Sequence, residues 1–417
     1  MKSARLFLIT AILLFSVYGC TQRPNNDDVL PPPSAGESPG AGARLQPTEK
    51  PDPKHSPSPA QSPNPAESPA PTQNSAAGGK SPAITDVAGT VADYYPILKN
   101  THYFYTGEGG EYAAYNVYID YSSDTAVQER LSNTGMTWVR VVSLAGGKAV
   151  LSFSRENSAF RENLLNMSGG SGEILLMEPV RAGTAWKQPD GAASAITSVT
   201  AKVKTPSGSY EAVCVETQGE GYKMFRYYVK GIGLVKAAVQ AGEHESFSVL
   251  NEIRKDVPLA QTVRFYYPNA EDGKLYYHDS ALSFNTNDAT AQKLEAAYKT
   301  EFDGRPGEVL TKNTAINQLQ LDQAANILHI DLSAAFITEM SGGSAYESLV
   351  LQSLANTFGG YYGVQKVIPT IDGALYESKY MEFEPGAYLT VHEGGAQLLA
   401  QQTQEPPAPT PAETENT

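Results

Sequence analysis

The chain has 417 residues, of which 41% are hydrophobic and 18% charged, and its formal net charge is −14. That length leaves room for two ordinary domains and some unstructured chain. No basic block follows the first few residues, which argues against nucleic acid as a partner. Cys20 and Cys214 cannot make a disulfide framework, and the six histidines lack metal-ligand spacing. We therefore expect no metal and no cofactor.

Residues 1–19 carry the most specific signal in the chain. Lys2 and Arg5 precede an apolar run of about a dozen residues, which is too short to span a bilayer and suits a signal-peptide core. The run ends in VYGC and resembles the bacterial lipoprotein signal, although Tyr18 stands where a small residue is usual. The resemblance implies a lipidated Cys20 that anchors the protein in the cell membrane, on its extracytoplasmic face. The alternatives are an ordinary secretory signal with an incidental cysteine, and an uncleaved anchor.

The next segment, residues 20–89, is rich in proline and serine. It contains more than half of the 28 prolines, and it has no aromatic residue. Such a composition cannot bury enough apolar surface to offset the entropy of ordering, so we expect a disordered spacer. Docking of the prolines on a partner is the alternative, but no hydrophobic anchors lie between them. Residues 395–417 have the same character and are predicted to form a disordered tail.

Residues 90–257 are predicted to form an all-β domain. Short runs rich in Val, Ile, Tyr, Phe and Thr follow one another, with Gly, Asn, Ser and Asp turns between them. In one run, Tyr115, Val117, Ile119 and Tyr121 alternate and share one face. The pattern predicts an antiparallel sheet, either open or curled into a half-barrel. Cys214 lies between two valines in another run, as a buried structural thiol would.

Residues 258–394 are predicted to form an α+β two-layer sandwich with the order β-α-β-β-α-β. The first helix begins near Asn287 or Asp288 and places Leu294 and Tyr298 on its buried face. The second helix follows residues 341–343 and carries apolar residues at helical spacing. We expect both helices to cover one face of the sheet.

The second domain also carries a resemblance. In order along the chain, its motifs are Asp331-Leu332-Ser333 with Phe336, Gly342-Gly343-Ser344, Asn356-Thr357, Gly363-Val364 with Val367, and Asp372-Gly373. Over residues 260–393 this pattern resembles the GerMN domain, from which Gly359–Tyr362 and Pro369 depart. The resemblance implies a non-catalytic module of exported lipoproteins linked to sporulation and spore germination. It also implies contacts with other envelope or sporulation proteins, or self-association.

The motif residues therefore receive structural roles in this interpretation. Ser344 and Glu347 are predicted to form a capping box, and Gly342 and Gly343 to turn the chain into it. The second helix is expected to end at Gly359-Gly360. Asp331, Asn356, Asp372 and Gly373 complete the set. The candidate protein contacts are Tyr361 and Tyr362, at the corner after the helix.

Two other classes of function remain as alternatives. The concave face of the β-domain could hold a lipid or another apolar ligand, which would make the protein a carrier. His329 and Asp331 share one strand face, so they could form an acid–base pair. No nucleophile motif accompanies them, however, and side chains with local hydrogen bonds are the simpler interpretation. We therefore expect no enzyme activity.

Overall fold

A computed structural model of the protein describes residues 88–302 and 304–399. The predicted signal segment, the predicted lipidation site Cys20, most of the predicted spacer and the tail from residue 400 lie outside the described residues. A short helix opens the described chain, α1 (Val91–Tyr94), and Thr90 and Asp93 form a capping box at its start. No helix in these two ranges is long and apolar enough to cross a membrane.

Residues 101–255 form one sheet of twelve antiparallel strands, as the sequence predicted. In sheet order the chain runs as two meanders, β6 to β1 and then β12 to β7, joined by the pairing of β1 with β12. The strands are β1 (Thr101–Glu108), β2 (Tyr115–Ser122), β3 (Ala126–Ser132), β4 (Thr137–Ala145), β5 (Lys148–Arg155), β6 (Ile174–Met177), β7 (Ala185–Lys187), β8 (Ala193–Thr205), β9 (Gly208–Gly219), β10 (Tyr222–Val229), β11 (Gly233–Ala241) and β12 (His244–Lys255).

The sheet is curled but is not a closed barrel. Its end strands β6 and β7 share no backbone ladder. Gln188, just after β7, instead makes two hydrogen bonds to Ile174 in β6. Its Nε2 donates to the Ile174 carbonyl at 2.9 Å, and the Ile174 amide donates to its Oε1 at 2.9 Å. A side-chain amide therefore joins the two edges where a further strand pair would close a barrel.

The remaining elements surround a long helix. They are β13 (Leu259–Asn269), β14 (Lys274–Phe284), α2 (Thr290–Lys299), β15 (Ile316–Asp322), β16 (Ile327–Leu332), α3 (Ala335–Thr338), α4 (Ser344–Tyr362), β17 (Lys366–Ile371), β18 (Ala374–Leu375), β19 (Leu389–Thr390) and β20 (Gln397–Leu398). One sheet has the order β13-β14-β20. The other has the order β15-β16-β17-β18, with β19 beside β17.

This layout differs from the predicted β-α-β-β-α-β order in two ways. A hairpin takes the place of the predicted first strand, because the chain turns at Asn269–Lys274 and β14 pairs with β13 along its whole length. The predicted single sheet is divided in two, and β20 extends the first of them in parallel with β14. Residues 395–399, assigned by sequence to the disordered tail, therefore include a strand.

Helix α4 is also more enclosed than an amphipathic helix on a sheet surface. From Val350 to Gly359 only Gln352 is not buried. The helix packs against β13, β17 and β19, and its buried polar side chains, such as Asn356 and Thr357, hydrogen-bond to neighbouring groups. Its core neighbours include Leu294 and Tyr298 of α2, which are buried as the spacing predicted.

Candidate functional site

The Asp331 and Asp372-Gly373 motifs meet at one junction of the fold. The Asp331 carboxylate accepts hydrogen bonds from Thr370 Oγ1 at 2.6 Å, the Gly373 amide at 2.8 Å and Asn317 Nδ2 at 2.9 Å. Asp372 and Gly373 both have positive φ, which suits the tight turn between β17 and β18. Burial alone would raise the pKa of Asp331, but these bonds together lower it.

Asp331 is therefore occupied by structural bonds. His329 shares its strand face, as predicted, while Leu328 and Ile330 point into the core. Among the described residues, no group of three or more His, Cys, Asp or Glu side chains could hold a metal ion. Cys214 is buried in β9 opposite Tyr227 of β10, as the sequence predicted.

The start of helix α4 differs from the prediction. Gly343 is the N-cap residue, Ser344 lies inside the first turn, and no side chain caps the helix. The predicted Ser344–Glu347 capping box is therefore wrong. Glu347 points inward, where it is 3% exposed and accepts a 2.6 Å hydrogen bond from the Tyr376 hydroxyl. A buried carboxylate needs such a partner. The amides at the start of the helix, in contrast, can bond to water, so the helix does not require Glu347 as a cap.

The Asn356-Thr357 motif fastens the helix to its neighbours. Asn356 Oδ1 accepts from the His392 amide at 2.8 Å, and Asn356 Nδ2 donates to the His392 carbonyl at 2.7 Å. Thr357 Oγ1 accepts from the Tyr266 amide at 2.9 Å, on the free edge of β13. The two side chains thus provide hydrogen-bond partners for backbone groups of His392 and Tyr266.

The end of the helix also lies later than expected. Gly359 and Gly360 are helical, and the left-handed residue that ends α4 is Gly363, with φ of 69°. Gly359 instead allows close packing, because a Cβ there would lie 2.3 Å from Val391 Cγ2. Tyr361 and Tyr362 consequently belong to the last turn of the helix.

Tyr362 is buried, so the predicted exposed contact is wrong for this residue, whereas Tyr361 is half-buried and lines a surface groove. Tyr362 is in the core, 5.0 Å from the ring of Phe160. The Tyr361 hydroxyl accepts from the Arg161 amide and donates to Gln261 Oε1, both at 3.0 Å. Burial raises the pKa of Tyr361 to about 12. Both side chains join the segment after β5 to the second half of the protein.

That segment leads to a buried ionic centre that the sequence did not indicate. Arg161, with no exposed surface, contacts Asp120 Oδ1 at 3.3 Å and donates to the carbonyls of Asp120, Asn285 and Asp288. Arg130 pairs with Asp120 Oδ2 at 2.8 Å. One carboxylate thus holds two arginines, and carbonyls from both halves of the protein accept further N–H groups of the pair. Arg130 Nε alone of these groups is buried without a partner among the described residues. The centre is formed by residues far apart in sequence, without a local motif to signal it.

Further bonds continue this contact along β2. The Tyr118 hydroxyl donates to the Phe284 carbonyl at 2.8 Å, and Asn287 exchanges two hydrogen bonds with the Ser122 backbone. Asn287 was a predicted cap of α2, but that helix begins at Thr290 without a side-chain cap. The two sequence-predicted domains therefore pack as one body in the described part of the chain.

An open groove of about 320 Å³ lies beside Tyr361, where the segment after β5 meets β13, β14 and α4. It is lined by Gln261 and the charged side chains of Arg264, Asp279 and Glu393. Arg264 donates two hydrogen bonds to Asp279, at 2.8 and 2.9 Å. This bonding raises the pKa of Arg264 and lowers that of Asp279. Asn356 and Thr357 of the motif set also line this groove.

A second concavity lies inside the curled sheet. It has a volume of about 50 Å³, and its walls include the charged side chains of Glu129, Arg140 and Arg226 among several tyrosines. A lipid carrier needs a large apolar cavity. At about 50 Å³ this cavity lies well below the roughly 300 Å³ of ordinary ligand pockets, so it does not support the predicted apolar-ligand carrier.

Residues 264–377 match the family model described as Germane: Sporulation and spore germination. No curated protein matches the chain. Similar solved structures include a Bacteroides fragilis protein described as exported with a YmcC-like fold, which is 15% identical, with 39% of this chain and 99% of that chain covered and a TM-score of 0.26.

Two further structures show a comparable likeness. A Clostridium perfringens protein described as a lipoprotein is 15% identical, with 32% and 88% of the two chains covered and a TM-score of 0.22. The tandem GerMN domains of the sporulation protein GerM from Bacillus subtilis are 14% identical, with 34% and 47% covered and a TM-score of 0.25. Because all three TM-scores are low, we draw nothing further from them. The match to the family model confirms the resemblance found in the sequence, and residues 264–377 are a domain of the GerMN type.

Proposed function

We propose that the protein is a lipoprotein anchored through Cys20 on the extracytoplasmic side of the cell membrane. Its GerMN-type domain is non-catalytic and makes contacts with other proteins during sporulation, spore germination or envelope assembly. The proline-rich spacer holds the folded body away from the membrane.

One observation carries the non-catalytic assignment. Asp331, Glu347, Asn356 and Asp372, the polar residues of the motif set, all hydrogen-bond to neighbouring groups within the fold. A catalytic group needs an open position toward a substrate, which these bonds occupy. The motif residues accordingly stabilise a rigid domain whose surface can contact another protein.

We place the partner contact in the groove beside Tyr361. Its charged side chains are exposed, and the elements that form it are fixed by the Arg161–Asp120 centre, so little order is lost on binding. Arg264 is the side chain to test, because it lies over the ring of Tyr277, 4.1 Å from its centroid, with its guanidinium in the groove.

The experiment is a quantitative pull-down with the anchored full chain, from membranes of sporulating and of vegetative cells. Arg264→Glu is compared with Arg254→Glu. Arg254 is a close match, because it is also exposed, donates two hydrogen bonds to a carboxylate (Glu252) and lies over an aromatic ring (Phe104). We expect partners enriched from sporulating cells to be lost with Arg264→Glu and kept with Arg254→Glu. Equal recovery by both variants would place the contact elsewhere, and equal recovery from both cell types would contradict the sporulation role.

A further inference from the structure

The concavity inside the twelve-stranded sheet contains a buried cation with an unused donor. Arg226 in β10 is 9% exposed and lines the cavity, and its Nη2 lies 2.6 Å from Glu173 Oε1. Its Nη1 is buried without a hydrogen-bond partner among residues 88–302 and 304–399. Buried donors are nearly always satisfied, and leaving one open costs free energy. Because Nη1 itself has almost no accessible surface, the Arg226 guanidinium must turn toward the cavity for an acceptor there to remove that cost.

A second cation lies in the same wall. Arg140 Nε contacts Glu129 Oε2 at 2.5 Å, and 20% of the arginine side chain is exposed. The other oxygen of Glu129 accepts from the Tyr95 hydroxyl at 2.9 Å. Both oxygens of the one carboxylate in the cavity wall are thus engaged, so the polar side-chain groups left for a ligand are N–H and O–H donors, set among apolar and aromatic side chains.

The tyrosines of the wall support this donor character. Burial raises the pKa values of Tyr115 and Tyr228 to about 12, so both hydroxyls stay protonated at neutral pH. The hydroxyls of Tyr103 and Tyr105 donate to the carbonyls of Ile232 and Leu234, which fixes their rings at the cavity. A site rich in donors, with its own carboxylate occupied, selects a ligand that accepts hydrogen bonds.

Charge and volume narrow the ligand class further. Arg140 and Arg226 are each paired with one glutamate, Glu129 and Glu173, so a dianion such as phosphate would add more uncompensated charge to the site than a monoanion would. A cavity of 50 Å³ holds roughly three to five water-sized groups. A carboxylate with a short stem fits that volume, and its two oxygens match the planar fork of an arginine. Because the cavity is partly open, a longer molecule could leave its remainder outside.

We propose that this cavity binds a carboxylate, with Arg226 as its principal donor and Arg140 as the second. The carboxylate belongs either to a free short-chain acid or to the end of a longer molecule such as a peptide. This inference concerns the β-sheet half of the protein and does not depend on the partner contact proposed for the GerMN-type domain.

The test uses ligand-observed NMR on the purified full chain in detergent. The probes are propionate, its neutral counterpart propionamide, inorganic phosphate, and N-acetyl-dialanine with either a free or an amidated carboxyl end. We expect propionate to bind and propionamide not to bind. Tighter binding of N-acetyl-dialanine with a free end identifies the end of a longer molecule, whereas tighter binding of propionate identifies a free acid.

Two variants assign the binding to Arg226. Arg226→Gln removes the charge, and Arg226→Lys keeps the charge but loses the Nη1 donor. Each should weaken propionate binding about tenfold or more, while Arg254→Gln on neighbouring β12 should bind as the wild type does. Thermal unfolding shows whether each variant is folded. If Arg226→Gln does not fold, the binding measurement relies on Arg226→Lys. The proposal is overturned if propionate and propionamide bind alike or not at all, if phosphate binds more tightly than propionate, or if a folded Arg226 variant retains full affinity.

Discussion

Gln188 and Ile174 close the curled sheet with a side chain in place of a strand. The Gln188 amide donates to the Ile174 carbonyl and accepts from the Ile174 amide, both at 2.9 Å, and its Nε2 also lies 2.8 Å from Ser194 Oγ. The Trp186 indole N–H adds a bond to the same carbonyl at 3.2 Å. The edges of a twelve-stranded sheet are thereby protected without a thirteenth strand to cover them.

Replacement of Gln188 by Ala should therefore destabilise the sheet at its seam. The change leaves two backbone groups of a half-buried residue without their partner, which should lower the free energy of unfolding by roughly 2–4 kcal/mol. Urea unfolding measures the loss, and hydrogen exchange should show faster exchange of the Ile174 amide. Gln218→Ala, at the exposed β9–β10 turn of the same sheet, should change stability by less than about 0.5 kcal/mol. Unchanged exchange at Ile174 would contradict the role of the seam.

Tyr361 and Tyr362 should respond differently to substitution, since one bonds and the other fills space. Tyr362→Ser removes a core ring beside Phe160 and should cost roughly 3–5 kcal/mol. Tyr361→Phe keeps the ring but removes a hydroxyl with two partners, at a cost of about 1–2 kcal/mol. Urea unfolding of the two variants checks the order. A fully stable Tyr362→Ser variant would instead support the prediction from the sequence that Tyr362 lies at an exposed corner.

Local signals accounted for much of the fold. The alternation of Tyr115, Val117 and Ile119 placed β2 correctly, but the strand register shifts after Ile119, and the Tyr121 hydroxyl bonds to Thr290 Oγ1 in the second half of the protein. Helical spacing identified the buried faces of α2 and α4. The neighbouring Tyr118 and Asp120 are buried as well, because the second half of the protein packs on that other face. A period of two cannot reveal that both faces of a strand are covered.

The missed strand β14 did leave a signal. Asp272-Gly273 separates two aromatic-rich runs, and Gly273 has a φ of 67°, which is the pattern of a hairpin turn. The predicted β-α-β-β-α-β order assigned no element to the second of these runs. The misplaced cap and helix end have another origin. Ser344 with Glu347 and the Gly359-Gly360 pair are good local signals, but core contacts of Glu347 and Gly359 decided the outcome.

The candidate site was harder to predict for a different reason. Arg161 lies about forty residues from Asp120 and more than 120 from Asn285, and no periodic pattern connects the three. Arg226 and Arg140 likewise meet at the cavity only because the sheet curls. Such contacts depend on how whole strands are arranged in the fold, and this topology is difficult to predict from a single sequence.

The bonds at Asp331 predict a pH dependence of stability. Its folded pKa lies below the value in the unfolded chain, so the stabilisation is complete above about pH 4 and is lost as the pH falls through the folded pKa. Asp331→Asn should therefore be less stable than wild type at pH 7, and the difference should shrink below about pH 4. Urea unfolding across pH 2.5–7 measures it, with Asp124→Asn in the exposed β2–β3 turn as the control. A constant difference at all pH values would show that ionisation of Asp331 contributes nothing.

The two cysteines provide a test of the membrane anchor. Cys20→Ala removes the only thiol in the lipoprotein-like signal, so we expect the protein to leave the detergent phase in membrane partitioning and to lose the mass of its acyl groups. Cys214→Ala is the matched control, since that thiol is buried within β9 and cannot receive a lipid while the sheet is folded. This control should partition as the wild type does. Continued membrane association of Cys20→Ala, with an unchanged mass, would exclude lipidation at Cys20 and favour the uncleaved anchor.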